Sequence, residues 1–261
     1  MDILIYIGLA WLVICVVVYF IQERFIFHPE KLPQNFKFQY DRPFTELFFD
    51  VERNVRINGL HFAVENPKGI ILYFHGNTRS IKGWAKYSKD FTKYQYDLVM
   101  IDYRGFGKST GKRSEEVMLK DAQFVYEELK KQYNEDQIIV YGRSIGSGFA
   151  VRVASLNTPR FCILDAPYYS FQHISSRYLP FLPMPFLLKY PIRADLWMEY
   201  VKCHTYILHG TKDRLIPINS SERLAAIAPK RITLIRIEGG KHNNLPSFPQ
   251  YHAFLRDILL Y

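Results

Sequence analysis

Cysteine is scarce, with three in 261 residues. Cys15 falls inside an apolar run, and Cys162 and Cys203 each lie beside an expected strand, so no disulfide framework is implied. No group of His, Cys and Asp has the spacing of metal ligands, and no metal is expected. Internal repeats, low-complexity tracts and long Pro/Ser/Gly linkers are missing too, which argues against two large domains and against disorder. Acidic residues are the minority charge, 25 against 34 basic, for a net charge of +9. The basic residues are scattered and form no recognition motif, so a nucleic-acid partner is not expected. Long hydrophobic runs are equally rare. There is one.

That run covers residues 3–21 and carries no charged side chain. As a helix it would span roughly 28 Å, close to the thickness of a bilayer core. A cleaved signal peptide would need a basic start and a small-x-small cleavage site. Here Asp2 precedes the run, and it ends in Val18, Tyr19, Phe20 and Ile21. The expectation is a transmembrane anchor at 3–21 with the lipid bilayer as partner, followed by one domain at 25–261. No Lys or Arg precedes the span, whereas Arg24, Lys31, Lys37 and Arg42 follow it. The positive-inside rule then turns the domain toward the cytoplasm, and the surplus of positive charge suits anionic headgroups.

Beyond Phe25, short apolar runs alternate with amphipathic ones. Residues 47–51 and 55–64 read as a hairpin turning at Asn54. Residues 69–74 (GIILYF), 96–101 (YDLVMI) and 137–141 (QIIVY) are continuous apolar runs, as in strands covered on both faces. Further strands are expected at 161–164, 205–208 and 232–237. Helices are expected at 84–94, 115–132, 145–156 and 248–260. This alternation predicts an α/β fold with a mostly parallel sheet flanked by helices. Chemistry in such sheets gathers at the carboxyl ends of the strands.

After QIIVY comes Gly142-Arg143-Ser144-Ile145-Gly146, a G-x-S-x-G between a strand and a helix. A serine on so sharp a turn takes a strained backbone, and Gly142 and Gly146 supply no Cβ to collide with it. Gly148 and Ala150 are expected to keep the helix close to the sheet. Serine needs a base, and the base an orienter. Asp213 and His242 each follow a later strand, in the order Ser, Asp, His found in hydrolases with such an elbow. Asp165 also ends a strand and is the lesser alternative for the acid. His28, His61, His173, His204 and His252 have no such placement. An oxyanion hole would take one donor from the Ile145 amide and one from the loop His75-Gly76-Asn77-Thr78, where Asn77 is the better placed. His75 is read as a brace for that loop. Gly107-Lys108-Ser109-Thr110 imitates the end of a P-loop. The glycine required five positions earlier is Asp102, so nucleotide binding is rejected.

The segments LYFHGNT, IDYRGFGKSTG, VYGRSIGSG, LHGTKDRLIP and GGKHNN together resemble the α/β-hydrolase superfamily. More narrowly, the chain is similar to its membrane-anchored branch with a single N-terminal span and a serine-aminopeptidase-like hydrolase domain. FIFHP, just past the anchor, is similar to that branch as well. The resemblance implies a serine hydrolase working through an acyl-enzyme without a cofactor. It also implies lysophospholipase or protein-depalmitoylase activity among the options. Residues 166–200 are aromatic and aliphatic, interrupted by Pro180, Pro183, Pro185 and Pro191, and read as a short cap over the sheet. An apolar cap on an anchored enzyme points to lipid-like acyl esters or thioesters. Alternatives are a peptidase of the serine-aminopeptidase type and a catalytically silent scaffold.

Overall fold

Strands whose side chains alternate between two buried faces organise this chain. The computed structural model describes residues 2–260, so the expected domain end at Tyr261 lies outside the described residues. Eight strands form one sheet: β1 (Thr45–Glu52), β2 (Val55–Phe62), β3 (Gly69–Phe74), β4 (Tyr96–Ile101), β5 (Ile138–Arg143), β6 (Phe161–Asp165), β7 (His204–Gly210) and β8 (Ile232–Ile237). Their order across the sheet is β8-β7-β6-β5-β3-β4-β2-β1. Only the β1–β2 and β2–β4 pairings are antiparallel. Asn54 makes the β1–β2 turn with φ of 62°.

Along β3, Ile70, Leu72 and Phe74 enter one core layer, while Ile71 and Tyr73 enter the other. Both layers are filled, which is why the strand reads as an unbroken apolar run. The first layer is closed by α2 (Glu115–Lys130) and α3 (Gly146–Leu156). The second is closed by α6 (Pro249–Leu259) and the segment after β3.

That segment departs from expectation. Instead of one helix over 84–94, short turns run at Ile81–Trp84, Ala85–Ser88 and Lys89–Thr92. The start is set from afar: the Ile81 amide donates to Asp102 Oδ1 at 2.9 Å. Gly148 is a second correction. A Cβ there would strike the Tyr168 hydroxyl and Ile192 rather than the sheet, so this glycine admits the cap. A helix absent from the sequence reading, α5 (Asn219–Ile227), lies between β7 and β8; α4 (Phe171–Tyr178) is the longest helix within residues 166–200.

The N-terminal run forms α1 (Asp2–Ile26), a 25-residue helix with a window of mean hydropathy 2.7. Most of its side chains are exposed. Its last turns are partly covered, although Phe25 stays exposed. Gln22 is buried; its Nε2 donates to the Leu187 carbonyl at 2.9 Å, and its Oε1 accepts from the Lys189 amide at 2.9 Å. Tyr190 Oη and Arg113 Nε both donate to Glu23 Oε1, at 2.9 and 3.0 Å. The helix therefore docks on the cap by polar bonds that composition does not reveal.

Candidate active site

Ser144 follows β5 with a φ of 52°, the left-handed backbone a nucleophile elbow requires. Its neighbours permit the turn. A Cβ on Gly142 would overlap the Gly146 carbonyl oxygen, and one on Gly146 would overlap the Phe74 carbonyl oxygen. The Ser144 amide donates to the Asp165 carbonyl at 2.9 Å, tying the elbow to β6.

The loops after β7 and β8 bring two further groups to the serine. His242 Nε2 lies 3.0 Å from Ser144 Oγ, and His242 Nδ1 lies 2.8 Å from Asp213 Oδ2. With Nδ1–H donating to the carboxylate, Nε2 is left to accept the serine proton. Asp213 Oδ1 accepts the Leu215 and Ile216 amides, both at 2.9 Å. Burial alone would raise this carboxyl. Hydrogen bonds from His209 and His242, with the charge of His242, outweigh burial and hold it well below the usual carboxylate range.

His209 is the contact that sequence reasoning missed. Its Nε2 lies 2.7 Å from the Ile216 carbonyl and 3.3 Å from Asp213 Oδ2, and its Nδ1 lies 2.6 Å from Ser221 Oγ. A carbonyl can only accept, so Nε2 carries the proton and Nδ1 accepts from Ser221. The only local signal was its place in LHGTKDRLIP, four residues before the aspartate.

Asp165, the alternative acid, is buried under the elbow, where it accepts from Tyr141 Oη at 2.8 Å. It makes no hydrogen bond to His242, whose Nδ1 bonds Asp213 instead. His75 is fully buried, with Nε2 3.1 Å from Asp102 Oδ1 and Nδ1 2.6 Å from the Gly76 carbonyl. Other histidines bond elsewhere: His61 to Asp97, His204 to Thr233 and His252 to the Pro246 carbonyl. In the segment resembling a P-loop, Lys108 Nζ is bound by both oxygens of Glu46, and Ser109 Oγ donates to the Asp102 carbonyl. Neither points at an anion site.

Asn77 and Ile145 border the same cavity as Ser144. Neither amide N–H finds an acceptor among the described residues. Asn77 is held firmly: its carbonyl accepts from the His28 amide at 2.8 Å, and its Nδ2 donates to the Ile26 carbonyl at 2.8 Å. The end of α1 thus fixes this loop. The cavity is about 530 Å³ and mostly apolar. Tyr168, Phe171, Ile174 and Leu179 of the cap form one wall, and Val18, Ile21, Phe25 and Ile26 of α1 form another. No acidic side chain lines it, and no cluster of metal-ligating groups occurs among the described residues.

Known proteins share this architecture. Over 225 residues the chain is 28% identical to human Protein ABHD12B, covering 76% of this chain and 62% of that one. It is 29% identical over 222 residues to Lysophosphatidylserine lipase ABHD12 of Xenopus tropicalis, covering 73% and 57%. The matches thus span about 60% of those relatives' own length. The Pyrococcus furiosus esterase Pf2001 superposes with a TM-score of 0.66 at 20% identity, over 90% of this chain and 98% of that chain. The family model described as serine aminopeptidase, S33, matches residues 65–197, a stretch that includes the elbow and ends before Asp213. The chain belongs to this family of hydrolases, within the α/β-hydrolase superfamily.

Proposed function

We propose that this protein is a membrane-anchored serine hydrolase that cleaves carboxylic esters of lipid-like acyl chains. The observation that carries the reading is a hydrogen-bonded Ser144–His242–Asp213 chain opening into an apolar cavity. Ser144 Oγ attacks the acyl carbonyl as His242 Nε2 takes its proton. The amides of Asn77 and Ile145, free of internal acceptors, stabilise the oxyanion. His242 protonates the leaving alcohol, and the acyl-enzyme forms on Ser144. Water, deprotonated by His242, then attacks the acyl-enzyme and the acid departs. Asp213 keeps the imidazole oriented and balances its charge.

The relatives named as lysophosphatidylserine lipases favour a lysophospholipid as the substrate, with its glycerophospho headgroup as the leaving alcohol. A thiol leaving group would pass through the same steps. An aminopeptidase reading is weaker, because the cavity offers no carboxylate to pair with a substrate ammonium group. In this reading the exposed apolar α1 is the anchor over 3–21, and the basic residues after it support a cytoplasmic side for the catalytic domain at 25–261 with its cap.

The test is hydrolysis of p-nitrophenyl esters from acetyl to palmitoyl by the full chain and by its Ser144→Ala variant. The expected outcome is turnover that rises with chain length and is lost in Ser144→Ala. Turnover unaffected by the substitution would overturn the assignment.

A further inference from the structure

One stretch of the cap is built unlike the rest of the soluble surface. Residues 179–188 (LPFLPMPFLL) carry no charge and no polar side chain. Phe181 is 61% exposed and Phe186 85% exposed, a poor arrangement for a surface facing water. The segment does not curl back over the sheet. It runs along α1, where Leu182 and Met184 enclose Cys15, with Val18, Leu187 and Leu188 packed around them. At its far point the Phe181 carbonyl accepts from Trp11 Nε1 at 2.9 Å.

The depth of that point follows from helix geometry. Lys189 Nζ sits over the Tyr19 and Phe20 rings, 4.3 and 5.4 Å from their centroids. A cation over an interfacial tyrosine marks the headgroup level. Trp11 lies eight residues earlier on α1, about 12 Å along the axis, and one leaflet's hydrocarbon is roughly 15 Å deep. The backbone chemistry suits the same medium. Irregular backbone survives in hydrocarbon only where its polar groups are satisfied within the protein. Pro180, Pro183 and Pro185 have no N–H to satisfy. Of the seven amides that remain, those of Leu179, Leu182, Met184, Phe186, Leu187 and Leu188 all donate to carbonyls of this segment or to that of Ser175. Arg177 and Lys189 bracket the stretch with positive charge, as anionic headgroups would favour.

We infer that residues 179–188 are sunk in the leaflet crossed by the C-terminal half of α1, so that the cavity above Ser144 is continuous with the lipid. The inference rests on α1 spanning the bilayer and deepens the proposed reaction. The cavity reaches from Ile26, beside the oxyanion loop, to Val18, about 12 Å further along the helix. An acyl chain passes from the bilayer to the serine between anchor and cap without crossing water.

Thiol accessibility tests this directly, on the full chain in phosphatidylcholine/phosphatidylserine vesicles, without reference to catalysis. A bulky water-soluble maleimide is offered to Phe186→Cys, to Phe181→Cys and to Lys120→Cys at an exposed position of α2, with the unsubstituted chain as the blank. Labelling of Lys120→Cys with both phenylalanine positions near the blank, and full labelling of all three after unfolding in detergent, is expected. Labelling at Phe186→Cys as fast as at Lys120→Cys overturns the inference. A second readout is Phe186→Asp, which lies outside the cavity lining: hydrolysis of a long-chain ester embedded in the vesicles should fall at least tenfold, while p-nitrophenyl acetate hydrolysis stays unchanged. Equal turnover of the embedded ester would remove the entry route. If the unsubstituted chain shows no Ser144-dependent hydrolysis at all, the proposed reaction fails, and the thiol result still decides whether the cap is in the bilayer.

Discussion

At the residue scale, the carboxylate of Asp213 is the most heavily engaged group near the serine. Two amides, His242 and His209 surround it. Replacing it with asparagine keeps its shape but presents an NH2 that opposes the Nδ1–H tautomer of His242. Asp213→Asn should lower kcat by about 10⁴-fold, as loss of the carboxylate does in triads of this kind, with KM little changed in steady-state ester kinetics. Glu115, at the start of α2, makes the opposite case. Burial raises its carboxyl to about 7, against a lesser lowering by a hydrogen bond from the Ile192 backbone. The fold thus holds this proton more tightly than the unfolded chain, and its contribution is lost as pH climbs from about 4.5 through about 7. Raising the pH from 5 to 8 should lower the thermal midpoint of the natural chain more than that of Glu115→Gln. Equal shifts in calorimetry would refute the assignment.

At the element scale, one amide side chain joins α1 to the backbone of the cap at two points. Gln22 bonds the backbone at Leu187 and Lys189 from a buried position. Gln22→Leu leaves a carbonyl and an amide unpaired, at about 1–3 kcal/mol for each group. The cap should then be cut more readily than the rest of the domain in limited proteolysis, with the sheet's protection unaltered. Residue by residue, the sequence was a good guide where a strand is buried on both sides. Gly69–Phe74 and Tyr96–Ile101 fall at the expected bounds, because continuous apolar runs have little else to become. It was a poor guide after β3, where a carboxylate from the loop after β4 starts the helical turn. Such a contact has no local signature.

At the scale of the whole molecule, α1 forms one wall of the cavity beside Ser144, and as the proposed anchor it would be a tether as well. The charge asymmetry around α1 gives a topology that can be measured. A reporter fused to the C-terminus should report a cytoplasmic location, and placement of two additional lysines before Ile3 should weaken that orientation in the same assay. If the native fusion reports the opposite side, the orientation is wrong while the cavity geometry is untouched.

The amino-acid sequence alone carried the succession of strands and most of the helices between them, the elbow at Ser144, and the loops holding Asp213 and His242. Each of these is written in short-range patterns: apolar runs, glycines flanking a serine, and polar residues just past a strand. The tertiary structure alone decided what closes the site. It brought Ser144, His242 and Asp213 within hydrogen-bond reach across 98 and 29 residues of chain. It set His209 against the aspartate, turned Gly148 toward the cap, and made Val18, Ile21 and Phe25 part of the cavity. These are contacts between residues distant in the chain, where side-chain direction and close packing select the partner. A pattern of hydropathy identifies an apolar helix, but not which face of it meets the rest of the protein.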